Sequence, residues 1–181
     1  MIGDVEIFML DGRTYRTNPF IDGRSMLGPE QKAWLLDGLA TSTATFKLIA
    51  SPVAWADGAK PNSIDTWSGF SDEREEIFSF IETRGIEGVV LLSSDRHRSE
   101  AWKIDRDSGY AFYEVLSGQL TNIHTHPIEE GALFSYNATD SFGVLSFDTE
   151  RGDPTVTYRI HSIDDDIVYT LVIRLSELRA Q

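Results

Sequence analysis

Residues 88–100, GVVLLSSDRHRSE, contain an apolar run that passes directly into small and then ionisable residues. Val89 to Leu92 are apolar and partly β-branched, which is typical of a buried parallel strand. Functional residues gather where such strands end, so a site is predicted immediately after this run. Asp95 and His97 are two positions apart, and in an extended segment their side chains point to the same side. The pair is therefore a candidate for binding one metal ion or a pair of ions. An ion pair on a polar loop is the open alternative.

The composition narrows the class of protein. The 181 residues are 41% hydrophobic and 11% aromatic, which is enough to bury the core of one globular domain. Acidic residues number 29 and basic residues 16, and the formal charge of -13 argues against nucleic acid or an anionic membrane as a partner. The absence of cysteine excludes disulfides and zinc–thiolate sites. No export signal or membrane-spanning segment is visible, and the compartment stays open.

Five elements are predicted up to this stretch: strands at 5–11 and 45–50, helices at 28–42 and 71–84, and the strand at 88–94. The first strand is apolar nearly throughout, which predicts a place inside a sheet rather than on its edge. Alternation of strands and helices indicates right-handed crossovers and a parallel βαβαβ sheet. The residues that follow its three strands would share one edge of the sheet: Asp11, Ser51 and Asp95.

After Arg98 the pattern changes to short alternating segments separated by turns. Strands are predicted there at 101–105, 110–117, 142–148, 155–161 and 167–175. Such alternation is typical of an antiparallel meander, which here predicts a second sheet. Two sheets packed face to face with helices outside form a layered αββα sandwich. We therefore expect a single α/β domain over residues 1–181, with a βαβαβ part in 1–98 and an antiparallel part in 99–181.

A second candidate metal site lies in residues 118–141, the longest interruption of the meander. The possible ligands there are Asn122, His124, His126, Glu129 and Glu130. Polar flanks fit an exposed loop equally well, so Asp95 and His97 are the preferred pair. No Gly-x-Ser-x-Gly elbow, glycine-rich phosphate loop or dinucleotide fingerprint occurs in the sequence.

Five segments, in this order, resemble the carboxyl-terminal half of the PhoD-like alkaline phosphatases, members of the calcineurin-like metallophosphoesterase superfamily. They are GDVEIFMLDGRTYR, SMLGPEQKAWLLDGL, FKLIASPVAW, WSGFSDEREEIFSFI and VVLLSSDRHRSE, and they cover most of Gly3 to Glu100. Within them Trp67, Gly69 and Arg74 match the family's Trp-x-Gly stretch before a helix. The resemblance implies two packed β-sheets flanked by helices, with a two-metal centre at the strand ends.

The resemblance also implies a hydrolase that cleaves phosphate mono- or diesters with divalent or trivalent metal ions: calcium, iron, manganese or zinc. Asp95 and His97 would occupy the family's last metal-binding segment, usually Gly-Asp-x-His. Arg13 and Arg96 would bind the phosphate of the substrate. Solvated loop charges are the alternative for these arginines.

Two departures from the family pattern bear on activity. Ser94 stands where the family normally has glycine, and the upstream aspartates, tyrosine and asparagine of the family's metal centre have no counterpart here. We therefore expect the isolated chain to have little or no phosphoesterase activity unless it recruits other ligands or pairs with a second copy. The ligands it could recruit are Asp11, Asp57, Asp65, His124 and His126.

A non-catalytic alternative stays open, in which the chain is a half-domain that self-associates or binds a partner. The strand at 5–11 is apolar on both faces and lacks its usual neighbours. An exposed sheet edge of this kind pairs readily with another strand. We therefore expect a homo-oligomer, in the simplest case a dimer.

Overall fold

The computed structural model describes residues 2–121 and 124–180. Its strands and α-helices, in chain order, are β1 (Val5–Met9), α1 (Gly28–Thr41), β2 (Phe46–Ala50), α2 (Ser71–Thr83), β3 (Val89–Ser93), β4 (Ser99–Ile104), β5 (Phe112–Leu116), β6 (Phe134–Tyr136), β7 (Ser141–Asp148), β8 (Thr155–Ser162) and β9 (Ile167–Arg174). Short 3-10 helices span Asp57–Ala59, Trp67–Phe70 and Leu175–Glu177. No helix in the described part of the chain is long and apolar enough to cross a membrane.

The first sheet has six strands in the order β1-β2-β3-β5-β4-β6. β1, β2, β3 and β5 are mutually parallel, whereas β4 runs antiparallel to both of its neighbours. α1 connects β1 to β2 and α2 connects β2 to β3, so the predicted βαβαβ unit is confirmed. The carboxyl ends of β1, β2 and β3 consequently meet at one edge of the sheet, the position that active sites occupy in parallel sheets.

The prediction that everything after Arg98 forms a separate meander is wrong. β4, β5 and β6 belong to the first sheet, and only β7, β8 and β9 form the second, antiparallel sheet. All five residues of β5 are buried, and a strand buried on both faces is most stable with a neighbour on each edge. β5 accordingly lies between β3 and β4. β6 falls within the predicted loop at 118–141, where three residues are too few to show a periodic pattern.

β1 lies at the edge of the first sheet, which corrects the prediction that it is an interior strand. Among the described residues it forms a strand ladder with β2 alone. Val5 and Phe8 are buried, but Ile7 and Met9 are 38% and 71% exposed. An apolar strand sequence therefore does not place this strand at the centre of the sheet.

Three layers are present: helices, the first sheet and the second sheet. The helices touch the first sheet through the ring pairs Trp34–Phe8 and Phe78–Phe112, and the second sheet touches its other face through Phe147–Phe46 and Tyr169–Phe134. One core cluster includes side chains from the helices and from both sheets. We therefore propose that residues 1–181 form one domain. A helical layer outside the second sheet, the fourth layer of the predicted αββα arrangement, does not occur in the described residues.

Residues 54–70, between β2 and α2, are buried in the core at both ends of the segment, whereas Pro61, Asn62 and Ile64 in its middle are exposed. Trp55, Trp67 and Phe70 have no exposed surface. The two indoles stack with ring centroids 4.2 Å apart. Each buried aromatic ring contributes about 1.5–3 kcal/mol through the hydrophobic effect. This segment therefore closes the core beside the carboxyl ends of β2 and β3 rather than forming an open lid.

Candidate metal centre

The chain turns sharply between β3 and β4, where Asp95 and His97 lie. Both residues have a left-handed backbone, with φ of 79° and 44°. This conformation costs a non-glycine residue about 1–3 kcal/mol, and such strain clusters at functional sites. The expectation that the two side chains project together from an extended segment is therefore wrong in its geometry. Asp95 and His97 instead have different neighbours.

His97 lies in a cluster of three imidazoles with His124 and His126. One ligand nitrogen from each ring lies within 4.8 Å of those of the other two. His97 stacks on His126 with ring centroids 4.9 Å apart, and His124 lies edge-on to these rings at 5.6 Å and 5.0 Å respectively. The structure thus combines one residue of the preferred metal pair with both histidines of the rival loop. We call these three residues the histidine cluster.

Hydrogen bonds between the two segments orient two rings of the histidine cluster. Nδ1 of His97 donates to the carbonyl oxygen of His124, and Nδ1 of His126 donates to that of Arg96, each over 2.8 Å. The amide of Asn137 donates to the carbonyl oxygen of His126 over 2.9 Å. Burial lowers the pKa of His126, and the positive charge of Arg96 lowers it further. A neutral His126 ring, the form that binds metals, is therefore favoured at neutral pH.

Asp95 faces positive charges. Its carboxylate lies 4.0 Å from the guanidinium of Arg13 and 3.8 Å from Nζ of Lys60. Asp65 pairs with the same two cations, Arg13 at 2.7 Å and Lys60 at 3.8 Å. It also pairs with Arg16 at 2.6 Å. Burial works against ionisation of Asp65, but the hydrogen bonds from the two arginines hold its pKa below the ordinary value. Three cations and two carboxylates therefore form a network with a net positive charge.

Arg96 lies between the two strained residues and is 5% exposed. Burial lowers its pKa, and the neighbouring charge of Arg98 acts in the same direction. Its Nε atom is buried without a hydrogen-bond partner in the described part of the protein. Arg13 is more accessible, with 45% of its side chain exposed. The two predicted anion-binding arginines thus differ: Arg13 can be reached from solvent, whereas Arg96 lies beneath the turn.

Three carboxylate or hydroxyl residues at this edge have structural partners. Asp11 accepts hydrogen bonds from the backbone amides of residues 13 and 14, each over 2.9 Å. Ser51 accepts the indole N–H of Trp67 over 3.0 Å. Asp57 binds the guanidinium of Arg74 over 2.6 Å and 3.1 Å. The side chains of Asp11, Ser51 and Arg74 are therefore explained by contacts within the protein, and no bound ligand is needed to explain them.

The remaining candidates lie outside the histidine cluster. Glu129 and Glu130 are not among its members, and Asn122 is outside the described residues. Arg16 and Lys60 also belong to the network around Asp65. Lys60 was not predicted as a site residue, because its local sequence shows only a charged loop position and no motif.

The donor set of the histidine cluster suits a transition metal. Neutral imidazole nitrogen is a common ligand of zinc and iron, whereas calcium takes six to eight oxygen ligands. Asp95, a predicted oxygen ligand, lies two residues before His97 on the same turn. The residues present therefore fit a zinc- or iron-class ion at the imidazoles, and a harder ion such as calcium or manganese would need Asp95.

Comparison with known proteins connects this site to a family. The sequence pattern of the family described as "PhoD-like phosphatase" matches residues 1–153. Alkaline phosphatase D of Bacillus subtilis (strain 168) is 33% identical over 90 residues, covering 46% of this chain and 15% of that protein. A solved structure of PhoD superposes with a TM-score of 0.67 at 19% identity, covering 99% of this chain and 43% of the other. The chain thus spans less than half the length of these relatives. Because the family pattern includes the strand, the strained turn and the loop of the histidine cluster, this chain is a member of the PhoD-like phosphatase family.

Proposed function

We propose that this chain takes part in the metal-dependent hydrolysis of phosphate mono- or diesters. The observation that carries the proposal is the position of Asp95 and His97. By the resemblance they match the family's last metal-binding segment, and they lie in a strained turn at the carboxyl end of β3, beside a net positive network. Strain, ionisable groups and a parallel-strand end coincide at this one place. Alkaline phosphatase D, the relative named above, supplies the reaction class.

Each residue has a proposed role. Asp95 and His97 are metal ligands, for ions drawn from calcium, iron, manganese and zinc. Such ions, when bound, neutralise phosphate charge and make water more acidic. Arg13 orients the substrate. Its side chain is 45% exposed, both Nη atoms of its guanidinium donate to Asp65, and its remaining N–H groups can donate to phosphate oxygens. Arg96 supports binding through its positive charge from below the turn, since its burial limits direct contact.

The layered arrangement of the calcineurin-like superfamily is part of the proposal. Its support is the face-to-face packing of the two sheets, with Phe46 on Phe147 and Phe134 on Tyr169. The described residues supply one helical layer and two sheet layers of an αββα sandwich. The outer face of the second sheet keeps Phe142 and Val172 partly exposed, at 44% and 46%. A fourth layer would pack against this face.

A hydrolysis assay tests the proposed activity. Chromogenic phosphate monoester and diester substrates are offered to the purified chain with calcium, manganese, iron or zinc. The structure brings His124 and His126, two of the ligands that the chain could recruit, beside His97. We therefore expect weak metal-dependent turnover rather than none, and a further loss of about a hundredfold in His97→Ala, because misplacing groups around a reacting phosphate commonly costs that much. His161→Ala is the matched control, since His161 lies on β8 outside the histidine cluster.

The same assay decides against the proposal if wild-type protein shows no metal-dependent turnover above the His97→Ala background. That result would leave the non-catalytic, self-associating half-domain as the function. Equal losses in His97→Ala and His161→Ala would show that the defect is not specific to the site.

We also propose a homodimer that forms through β1. Ile7 and Met9 are exposed on the face of β1 that, further into the sheet, is covered by the second sheet. A second copy of the chain could pair with this edge and cover both side chains. Light scattering at high micromolar concentration is expected to give twice the chain mass, and Met9→Lys is expected to give the single mass. A compact wild-type monomer would contradict the proposed dimer.

A further inference from the structure

We propose that the histidine cluster binds one transition-metal ion of the zinc or iron class, and that calcium does not bind there. This site differs from the Asp95–His97 pair of the family segment because two of its three ligands, His124 and His126, come from a separate loop. It goes beyond the proposed phosphoesterase activity and does not depend on it, because metal binding is measured without substrate.

The three imidazole rings converge on one place. Three ligand nitrogens from segments 27 residues apart lie within 4.8 Å of one another. In a tetrahedral zinc site, ligand nitrogens at 2.0–2.1 Å from the ion lie about 3.4 Å apart. Closing the cluster around one ion thus needs ring movements of about an ångström, which rotation about the side-chain bonds can supply. His124 and His126 are edge-on, whereas the stacked rings of His97 and His126 must rotate relative to each other for both lone pairs to meet one ion.

Hydrogen bonds fix the position of the proton on two of the rings. Nδ1 of His97 and Nδ1 of His126 both contact backbone carbonyl oxygens. Because a carbonyl oxygen only accepts, these Nδ1 atoms carry the protons, and each neutral ring then has its lone pair on Nε2. Histidine ligands in metal sites characteristically donate their other N–H to a carbonyl or carboxylate, which orients the ring. Two of the three rings, His97 and His126, have this hydrogen bond from Nδ1 to a carbonyl oxygen.

The ligand atoms of the histidine cluster suit a transition metal better than calcium. The cluster offers three nitrogens and no carboxylate oxygen. Three imidazoles around zinc leave a fourth position open, as in catalytic zinc sites, whereas calcium requires a shell of oxygens. Asp95, the nearby oxygen donor on the turn, faces Arg13 and Lys60 instead. The histidine cluster therefore favours ions of the zinc or iron class over calcium.

Direct binding measurements test the site. The metal-free 181-residue chain is titrated with zinc in a calorimeter and with cobalt under visible spectroscopy, since the cobalt spectrum reports its ligands. We expect zinc binding to weaken by at least about a hundredfold in His124→Ala and in His126→Ala, because each loses a direct ligand. His161→Ala is expected to bind zinc as the wild type does. Far-UV circular dichroism verifies folding, and exposed His124 can be truncated without opening the core.

Three results would overturn the proposal. One is wild-type zinc affinity in both His124→Ala and His126→Ala. Another is a loss of zinc affinity in Asp95→Asn that exceeds the losses in His124→Ala and in His126→Ala, which would assign the ion to the family pair. The third is calcium binding that His124→Ala and His126→Ala weaken as strongly as they weaken zinc binding. If the chain binds zinc as expected but hydrolyses no phosphate ester, the zinc site is supported and the proposed phosphoesterase activity is contradicted.

Discussion

Trp67→Ala is expected to lower the free energy of unfolding by about 3–5 kcal/mol, because a large buried aromatic side chain is replaced by a cavity. Trp67 has no exposed surface and stacks on Trp55 at 4.2 Å. Its indole N–H also donates to Ser51 over 3.0 Å. A loss of this size is a large part of the stability of an ordinary domain. Urea denaturation followed by far-UV circular dichroism measures it.

The stacked indoles supply a matched comparison. The Nε1 of Trp67 has a hydrogen-bond partner, whereas the buried Nε1 of Trp55 has none among the described residues. Trp67→Phe removes a hydrogen bond and leaves Ser51 with one partner fewer, a cost of about 1 kcal/mol beyond the change in volume. Trp55→Phe is therefore expected to be the milder substitution. The opposite order would refute the assigned role of the Trp67 hydrogen bond.

Arg98→Met is expected to destabilise the fold by about 3–5 kcal/mol, because it leaves the charge of Glu100 buried without its partner. Both side chains are fully buried, and Nε of Arg98 lies 2.6 Å from the Glu100 carboxylate. Arg98 also donates to the carbonyl oxygen of Ala59 over 2.8 Å, which connects β4 to the segment before α2. Thermal and urea denaturation at neutral pH measure the loss.

The double variant Arg98→Met, Glu100→Gln separates charge from packing. A neutral glutamine can still accept the N–H of Trp102, which donates to Glu100 over 3.1 Å. With no unpaired charge left inside, the double variant is expected to be more stable than Arg98→Met alone. If it is less stable than the single variant, unpaired charge is not the main cause of the loss.

Regular elements of the first half are predictable because their signals are local. The run FKLIA is predicted as part of a strand and forms β2, Phe46–Ala50. It is buried at every position, including Lys47, whose ammonium group donates to the carbonyl oxygen of Ala44 over 2.6 Å. The helix predicted over 28–42 is observed over Gly28–Thr41, with proline where its missing N–H costs little. These patterns depend on neighbouring residues, so the sequence contains the information.

Strand order is not predictable in the same way. The sequences of β4 and β5 suit an antiparallel hairpin, and they do form one. Nothing local indicates that β5 inserts between β3 and β4, or that β1 is left at the edge. Pairing joins residues that are distant in sequence, and the choice among partners depends on which arrangement buries the most apolar surface.

Local sequence patterns are enough to predict a parallel βαβαβ unit that ends in Asp95 and His97, and the resemblance to PhoD-like phosphatases is confirmed. Which residues meet at that end depends on contacts between distant parts of the chain. His97, with a left-handed φ angle, lies beside His124 and His126, whereas Asp95, also left-handed, faces Arg13. Residue types are read directly from the sequence, but the directions of side chains at a turn follow from backbone strain that the surrounding fold imposes.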